Sequence, residues 1–216
     1  MIFRKFNIEA DLENVIKIYP TLSIKKEGSV YLLVGQFNLY YPDGELLEEF
    51  DVKIQFANFP SVLPVVWETD GKIERIADRH VNYKDNSLCL IVETEAILIC
   101  KRGINAIRFL DEILRPHLAM QAHFLLKEKY PIGEYKHGFE GIVESLKEIV
   151  NTNSIDFVKK SIEFTLSNRL SRNEPCYCKS GKKYKNCHLK AIEKFSLFGR
   201  EKLTLYLSQI KEIGLN

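Results

Sequence analysis

A histidine, an asparagine and a cysteine share one short stretch, His80-Val81-Asn82-Tyr83-Lys84-Asp85-Asn86-Ser87-Leu88-Cys89-Leu90. Those three types suffice for acyl transfer through a thioester. A Cys89 thiolate attacks a carbonyl, the Asn82 amide holds the developing oxyanion, and His80 orients the loop or moves a proton. The same residues also read as the start of a buried strand, Leu88-Cys89-Leu90-Ile91-Val92, in which the thiol is a small core group.

A second cluster is more specific. Cys176, Cys178, Cys187 and His188 follow the pattern C-x-C-x8-C-H, and three thiolates with one imidazole complete a tetrahedral zinc shell. Gly181 allows a tight turn between the ligand pairs. Four protein ligands leave no open position, so the zinc is expected to be structural. A segment this short and polar would draw its folding free energy from the metal. Cys89 and Cys100 stand apart, and an odd count with such clustering fits a metal site plus free thiols better than a disulfide framework.

The rest of the chain has to position these residues. Ile8, Leu12, Val15, Ile16 and Tyr19 recur at helical spacing and Pro20 ends the pattern. Thr21 to Ile24 reads as a short first strand. Tyr31, Leu33, Phe37, Leu39 and Tyr41 then alternate with polar residues, Tyr41-Pro42-Asp43-Gly44 is a turn, and Leu46, Phe50, Val52, Ile54 and Phe56 alternate again towards a core. Pro64 to Glu68 closes the series. The expected fold class is α+β: a four-stranded antiparallel meander with flanking helices, plus a small C-terminal zinc knuckle.

This order, with its motifs, resembles the ubiquitin-conjugating enzyme family. Phe59-Pro60-Ser61-Val62-Leu63-Pro64-Val65-Val66 is similar to that family's tyrosine-proline segment, His80-Val81-Asn82 to its His-Pro-Asn motif, and Ser87-Leu88-Cys89-Leu90 to its Ser-Ile-Cys-Leu run. Val81 stands where the family has proline and Asn86 where it has glycine. The tryptophan usual just after the cysteine is absent, and Trp67 lies on the strand before. These departures point to a divergent prokaryotic branch. The resemblance implies that Cys89 accepts a protein C-terminus as a thioester and passes it to an amine, that Asn82 stabilises the oxyanion, and that His80 braces the loop. Residues 172–188 resemble the SEC-C motif nearly position for position.

Between the two motifs, residues 94–103 read as a short strand or loop with Cys100 as a buried thiol. Ile104, Ile107, Leu110, Ile113 and Leu114 form a helix that Pro116 breaks or kinks, and a second helix runs from His117 towards Lys129. His117 and His123 read as ordinary. Gly133-Glu134-Tyr135-Lys136-His137-Gly138 is similar to segments in prokaryotic conjugating-enzyme-like proteins. Glu134 and His137 either act near Cys89 or cap the helix that follows. Asn151 to Ser154 reads as a boundary. The expected organisation is a conjugating-enzyme-like domain over 1–150, a linker and connecting helix over 151–172, the zinc knuckle over 173–190, and an amphipathic helix over 191–216.

The functional expectation is a cysteine-thioester acyltransferase. The implied acyl donor is a ubiquitin-like protein or, as in antiphage operons of the CBASS type, a cyclic-oligonucleotide synthase. The sequence holds no Gly-rich phosphate loop for adenylation, so a separate activating enzyme or another route to the thioester is implied. Two alternatives stand beside it: a non-catalytic binding module on the same fold, and a cysteine hydrolase using His137. Lys179, Lys182, Lys183, Lys185 and Lys190 make the knuckle basic, either as a solvated face or as a surface for an acidic protein or nucleic acid. The net charge of +2 announces neither nucleic acid nor membrane. No apolar run approaches the ~20 residues of a membrane span, and the N-terminus lacks the apolar core of a secretory signal. The expected location is the cytoplasm.

Overall fold

The computed structural model describes residues 6–130, 136, 138–167 and 170–213. Contacts divide the chain into two compact units. The first holds Met1–Ile91 and Arg102–Glu134, and the second holds Val92–Lys101 and Tyr135–Asn216. This division and the 1–150 span do not coincide: the helix before Asn151, the connecting helix and the knuckle all pack within the second unit.

The first unit opens with α1 (Ile8–Ile18). Asn7 caps it, its side-chain oxygen accepting from the Glu9 and Ala10 N–H groups, while Glu9 and Asp11 face the positive end of the helix dipole. Leu12 and Val15 are its buried points. A four-stranded antiparallel meander follows: β1 (Leu22–Glu27), β2 (Val30–Tyr40), β3 (Leu46–Gln55) and β4 (Val65–Glu68), in that spatial order. Ile24, Leu33, Ile54 and Val66 stand opposite one another in a row across all four strands; Gly35 faces Val52 in the next row on that face and Phe37 faces Phe50 in the one after. This alternation carries the core face. The expected pattern fails at Leu46, which is exposed, because a bulge at Leu39/Tyr40 shifts the register just before the Pro42–Gly44 turn.

The layer covering this sheet is α1 together with one long helix. The helix starts as α3 (Ala106–Phe109), with Asn105 as its cap, and continues as α4 (Arg115–Lys127). Pro116 does not break it. The intervening turn, Leu110–Leu114, is a π-helix in which the Arg115 N–H reaches back to the Leu110 carbonyl. That wider turn gives room to a residue that lacks an N–H and whose ring would collide with the preceding turn. Phe109, Leu110, Leu114 and Leu118 are all fully buried along it.

The second unit is helical. Residues 94–103, expected as strand or loop, lie within or next to α2 (Glu93–Arg102). Its β-branched run is overruled by burial at helical spacing, Thr94 and Leu98 sharing the covered side. Cys100 is half-exposed there, not buried. The remaining helices are α5 (Gly138–Ile149), α6 (Ile155–Ser167), α7 (Leu189–Phe198) and α8 (Arg200–Ile213). One core joins Leu98 with Leu146, Val158, Ile162, Phe195, Leu203, Tyr206 and Ile210. The connecting helix α6 is therefore a core element, and Asn151–Ser154 is a turn inside the unit. The tail, expected as one helix, is split at Gly199, whose φ of +82° suits glycine and ends α7. Among the described residues no helix is long and apolar enough to cross a membrane.

Gly35 tests the meander. Its φ is +135°, and a Cβ placed there would meet the Thr21 carbonyl oxygen at 2.2 Å. Gly35→Ala should lower stability by more than ~1 kcal/mol, read as a lower urea midpoint at unchanged slope. An unchanged midpoint would show that β1 closes on β2 more loosely than described.

Candidate functional site

The reactive stretch begins where β4 ends. Glu68 has a fully buried carboxylate that accepts the Lys72 N–H at 3.1 Å and pairs with Arg75 at 2.8 Å, which ties down the connection beyond the strand. A 3-10 turn, Ala77–Arg79, then leads to His80 in the left-handed region with φ 52° and ψ 44°. Val81 and Leu88 form an antiparallel bridge. It is flanked by two backbone bonds, Asn82 N–H to the Ser87 carbonyl at 2.8 Å and Cys89 N–H to the His80 carbonyl at 2.7 Å. Leu88 N–H donates to the Val66 carbonyl at 2.7 Å, which hangs this small ladder on β4.

The ladder explains the spacing. Val81 and Leu88 turn inward and are buried. Asn82 is exposed, Ser87 buried and Cys89 half-buried. The Asn82 amide donates to Ser87 Oγ at 2.9 Å, and the Ser87 hydroxyl donates to Asp85 at 2.8 Å. An asparagine amide has a second N–H beyond the one given to Ser87. The Ser87 N–H and hydroxyl hold the Asp85 carboxyl below the usual carboxylate range. Asn86 adopts φ 58° and closes the turn through its N–H to the Asn82 carbonyl. The Trp67 indole N–H donates to the Asp85 carbonyl at 2.9 Å and pins the tip of the turn from the neighbouring strand.

His80 does not join Asn82 and Cys89 through its ring. The imidazole packs edge-on against His117 and Tyr130, at centroid distances of 5.9 and 5.5 Å. It is the His80 carbonyl that meets Cys89. His117, read as ordinary, is the fully buried partner in this group. Burial, helped by the nearby His80, pushes its imidazole down to about 3, so it stays neutral. Cys89 is half-buried, and burial pushes its thiol above the ordinary value. Glu134 and His137 lie outside the described residues, and with them the histidine base of the hydrolase reading.

Cys176, Cys178, Cys187 and His188 come together as expected, their ligand atoms all lying within 4.8 Å of one another. Cys178 Sγ is 3.6 Å from Cys187 Sγ, and His188 Nδ1 is 3.3 Å from Cys176 Sγ and 3.1 Å from Cys187 Sγ. Tetrahedral zinc with ordinary Zn–S and Zn–N bonds needs edges of about 3.5–3.8 Å, so the donor set fits the ion with little adjustment. A backbone pairing of Pro175 with Lys183 makes the hairpin, with Lys179 at φ 62° and Gly181 at φ 76° in its turn. A 3-10 turn, Tyr184–Asn186, then delivers Cys187, and His188 caps α7.

The sequence reasoning missed Tyr177, the residue between the first two ligands. Its ring stacks on Phe164 of α6 at 4.3 Å and lies near Phe157, and its hydroxyl shares a 2.8 Å hydrogen bond with Ser161. Tyr184 and Ile192 of α7 complete a small core around Cys176. The knuckle is therefore held by burial as well as by its ligands. An aromatic residue inside a metal motif was the available signal.

Residues 172–190 match the model of the SEC-C motif family, a zinc-binding type of motif. Curated relatives include the protein translocase subunit SecA of Wolbachia pipientis wMel, 26% identical over 195 residues, which covers 82% of this chain and 20% of that protein. The same-named protein of Buchnera aphidicola subsp. Schizaphis graminum (strain Sg) is 30% identical over 106 residues, covering 38% of this chain and 12% of its own length. That of Borreliella burgdorferi (strain ZS7) is 72% identical over 25 residues, covering 12% and 3%. The chain thus spans at most a fifth of the length of these three relatives.

Two outcomes are expected from these geometries. Purified protein should carry zinc, and replacing Cys176 and Cys178 together with alanine should abolish it by elemental analysis and remove hydrogen-exchange protection from residues 172–190. Full retention of both would mean that burial alone holds the hairpin. For Cys89, the raised thiol predicts iodoacetamide labelling that climbs about tenfold per pH unit through pH 9. A plateau near pH 7, followed by peptide mapping, would instead reveal a cationic neighbour.

Proposed function

We propose that this chain is a ubiquitin-conjugating-enzyme-like acyl carrier, with Cys89 as the acceptor of a protein C-terminus. The Cys89 thiolate attacks the carbonyl of an activated C-terminus and displaces its leaving group, forming a thioester. An amine then attacks that thioester. The carbonyl oxygen carries negative charge in the tetrahedral intermediate, the C–S bond breaks to return the thiolate, and the amine loses its proton to solvent or to the departing sulfur. Asn82 supplies the amide N–H to the oxyanion, and His80 acts through its backbone. The zinc keeps a structural role, because its four ligands leave no open position.

The observation that carries this reading is the ladder. Its bridge and the flanking bonds from Asn82 N–H to Ser87 and from Cys89 N–H to His80 tie the backbones of Asn82 and Cys89 into one hairpin, which supports this reading. A thiol whose burial disfavours the thiolate suits exchange with an already activated acyl group, which demands less of the nucleophile than attack on an amide. The donor we favour is a cyclic-oligonucleotide synthase of an antiphage operon, with a ubiquitin-like protein as the other candidate. Either would reach Cys89 through a separate activating enzyme or another activated ester.

Two observations favour a second reading, a non-catalytic binding module on this fold. The Asn82 amide is already engaged by Ser87, and the thiol is raised. The protein recovered from its native host decides between them by intact mass under non-reducing conditions. Wild type should carry a thiol-labile adduct, Cys89→Ser a base-labile ester, and Cys89→Ala nothing, and the adduct mass identifies the donor. No adduct on any form, with Cys89 inert to alkylation in the native protein, overturns the carrier and favours the module.

A further inference from the structure

Arg79 is the residue immediately before His80, and it is only 6% exposed. Its guanidinium lies 3.7 Å over the ring of Phe124. Its Nε and Nη2 both donate to Oε1 of Gln121, at 3.2 and 2.8 Å. Gln121 is fully buried on α4, and its Nε2 donates back to the Arg79 carbonyl at 3.1 Å. One glutamine thus closes on both the side chain and the backbone of one arginine. No carboxylate pairs with Arg79 among the described residues. Burying a guanidinium costs far more than burying an apolar side chain of similar size.

What this arrangement fixes is the peptide before His80. His80 occupies a left-handed conformation that residues with a Cβ avoid unless neighbours impose it. On its N-terminal side Gln121 engages the Arg79 carbonyl, and the His80 N–H donates to the Ala77 carbonyl at 2.8 Å. On the other side, the His80 carbonyl accepts the Cys89 N–H at 2.7 Å. The connection therefore runs from α4, through Gln121 and Arg79, to the His80 carbonyl and the backbone of Cys89. We propose that Arg79 and Gln121 form a positioning clamp for Cys89, holding the thiol in register with Asn82 for acyl transfer. This rests on the reading of Cys89 as an acyl acceptor.

The clamp acts on position, and not on thiol exposure or charge, so two reactions of the same sulfur separate the roles. Iodoacetamide needs only an accessible, ionised thiol. Loading from a glycine-terminated peptide thioester of mercaptoethanesulfonate, followed by discharge to free lysine, needs the acyl carbonyl held against Asn82. In the loading step the Cys89 thiolate replaces mercaptoethanesulfonate, which leaves as its thiolate. Arg79→Met keeps volume and removes the buried charge. It should still fold, at a lower melting temperature because the buried Gln121 oxygen loses two donors, and keep the iodoacetamide rate within about twofold, while discharge slows by about tenfold or more. Gln121→Glu keeps the acceptor for the guanidinium but has no N–H for the Arg79 carbonyl. It should slow discharge in the same direction, and it stands in if Arg79→Met does not fold. Discharge at the wild-type rate in either folded variant overturns the clamp alone. A wild-type protein that never loads overturns the reading of Cys89, and the clamp's role with it.

Discussion

The bond from the Leu88 N–H to the Val66 carbonyl is what the first unit's candidate chemistry hangs on. It is the point at which a short hairpin, outside the main sheet, becomes an extension of β4. Without it the Val81–Leu88 pairing would be a single isolated bridge, and a lone two-stranded hairpin is marginal in water. With it, the hairpin inherits the rigidity of a row of apolar residues that crosses four strands. Two further ties act from outside the hairpin: Trp67 on its tip and Gln121, through Arg79, on its base. The sheet thus supplies order to a segment whose own residues are mostly polar and exposed.

The knuckle obtains order in another way. Its hairpin is too short and too charged to bury much, and its turn needs two residues at positive φ. Four ligand atoms within 4.8 Å of one another supply one constraint. Tyr177 supplies the second, because a ring placed between the first two ligands cannot stack on α6 unless both cysteines face the same way. The stacking of Tyr177 and the gathering of the four ligand atoms are thus satisfied by one hairpin conformation.

How much of this was legible in the sequence depends on whether a signal is local. α1 carries its own cap and its own stop, so its bounds can be read within a residue. The meander announces itself through period-two alternation, and the zinc ligands through spacing alone. The helix α2 could not be read, because the partners that make its run helical lie far along the chain. Leu46 could not be placed, since a single-residue bulge inverts the face of a strand and leaves no mark in composition. Pro116 looked like a stop, and only the π-turn before it shows how a helix can pass a proline. Arg79 and Gln121 gave no signal at all. A polar residue on a mostly apolar helix is ordinary until its partner is known, and that partner is forty-two residues away in sequence.

The path of the chain between its two units has a consequence for how the molecule is made. Val92–Lys101 leaves the first unit, packs in the second, and returns. Its first residue in α2, Glu93, is gripped by Lys202 and Tyr206 of α8, and its neighbour Thr94 bonds to Ser145 of α5. During synthesis α2 therefore emerges long before the helices that cover it. The sheet and its long helix can close while Ile97 and Leu98 still wait for their partners, as a loop looped out of a finished body. The helical core then seals only when α8 arrives. Until α8 emerges, Leu98 lacks the Tyr206 and Ile210 side chains that share its core.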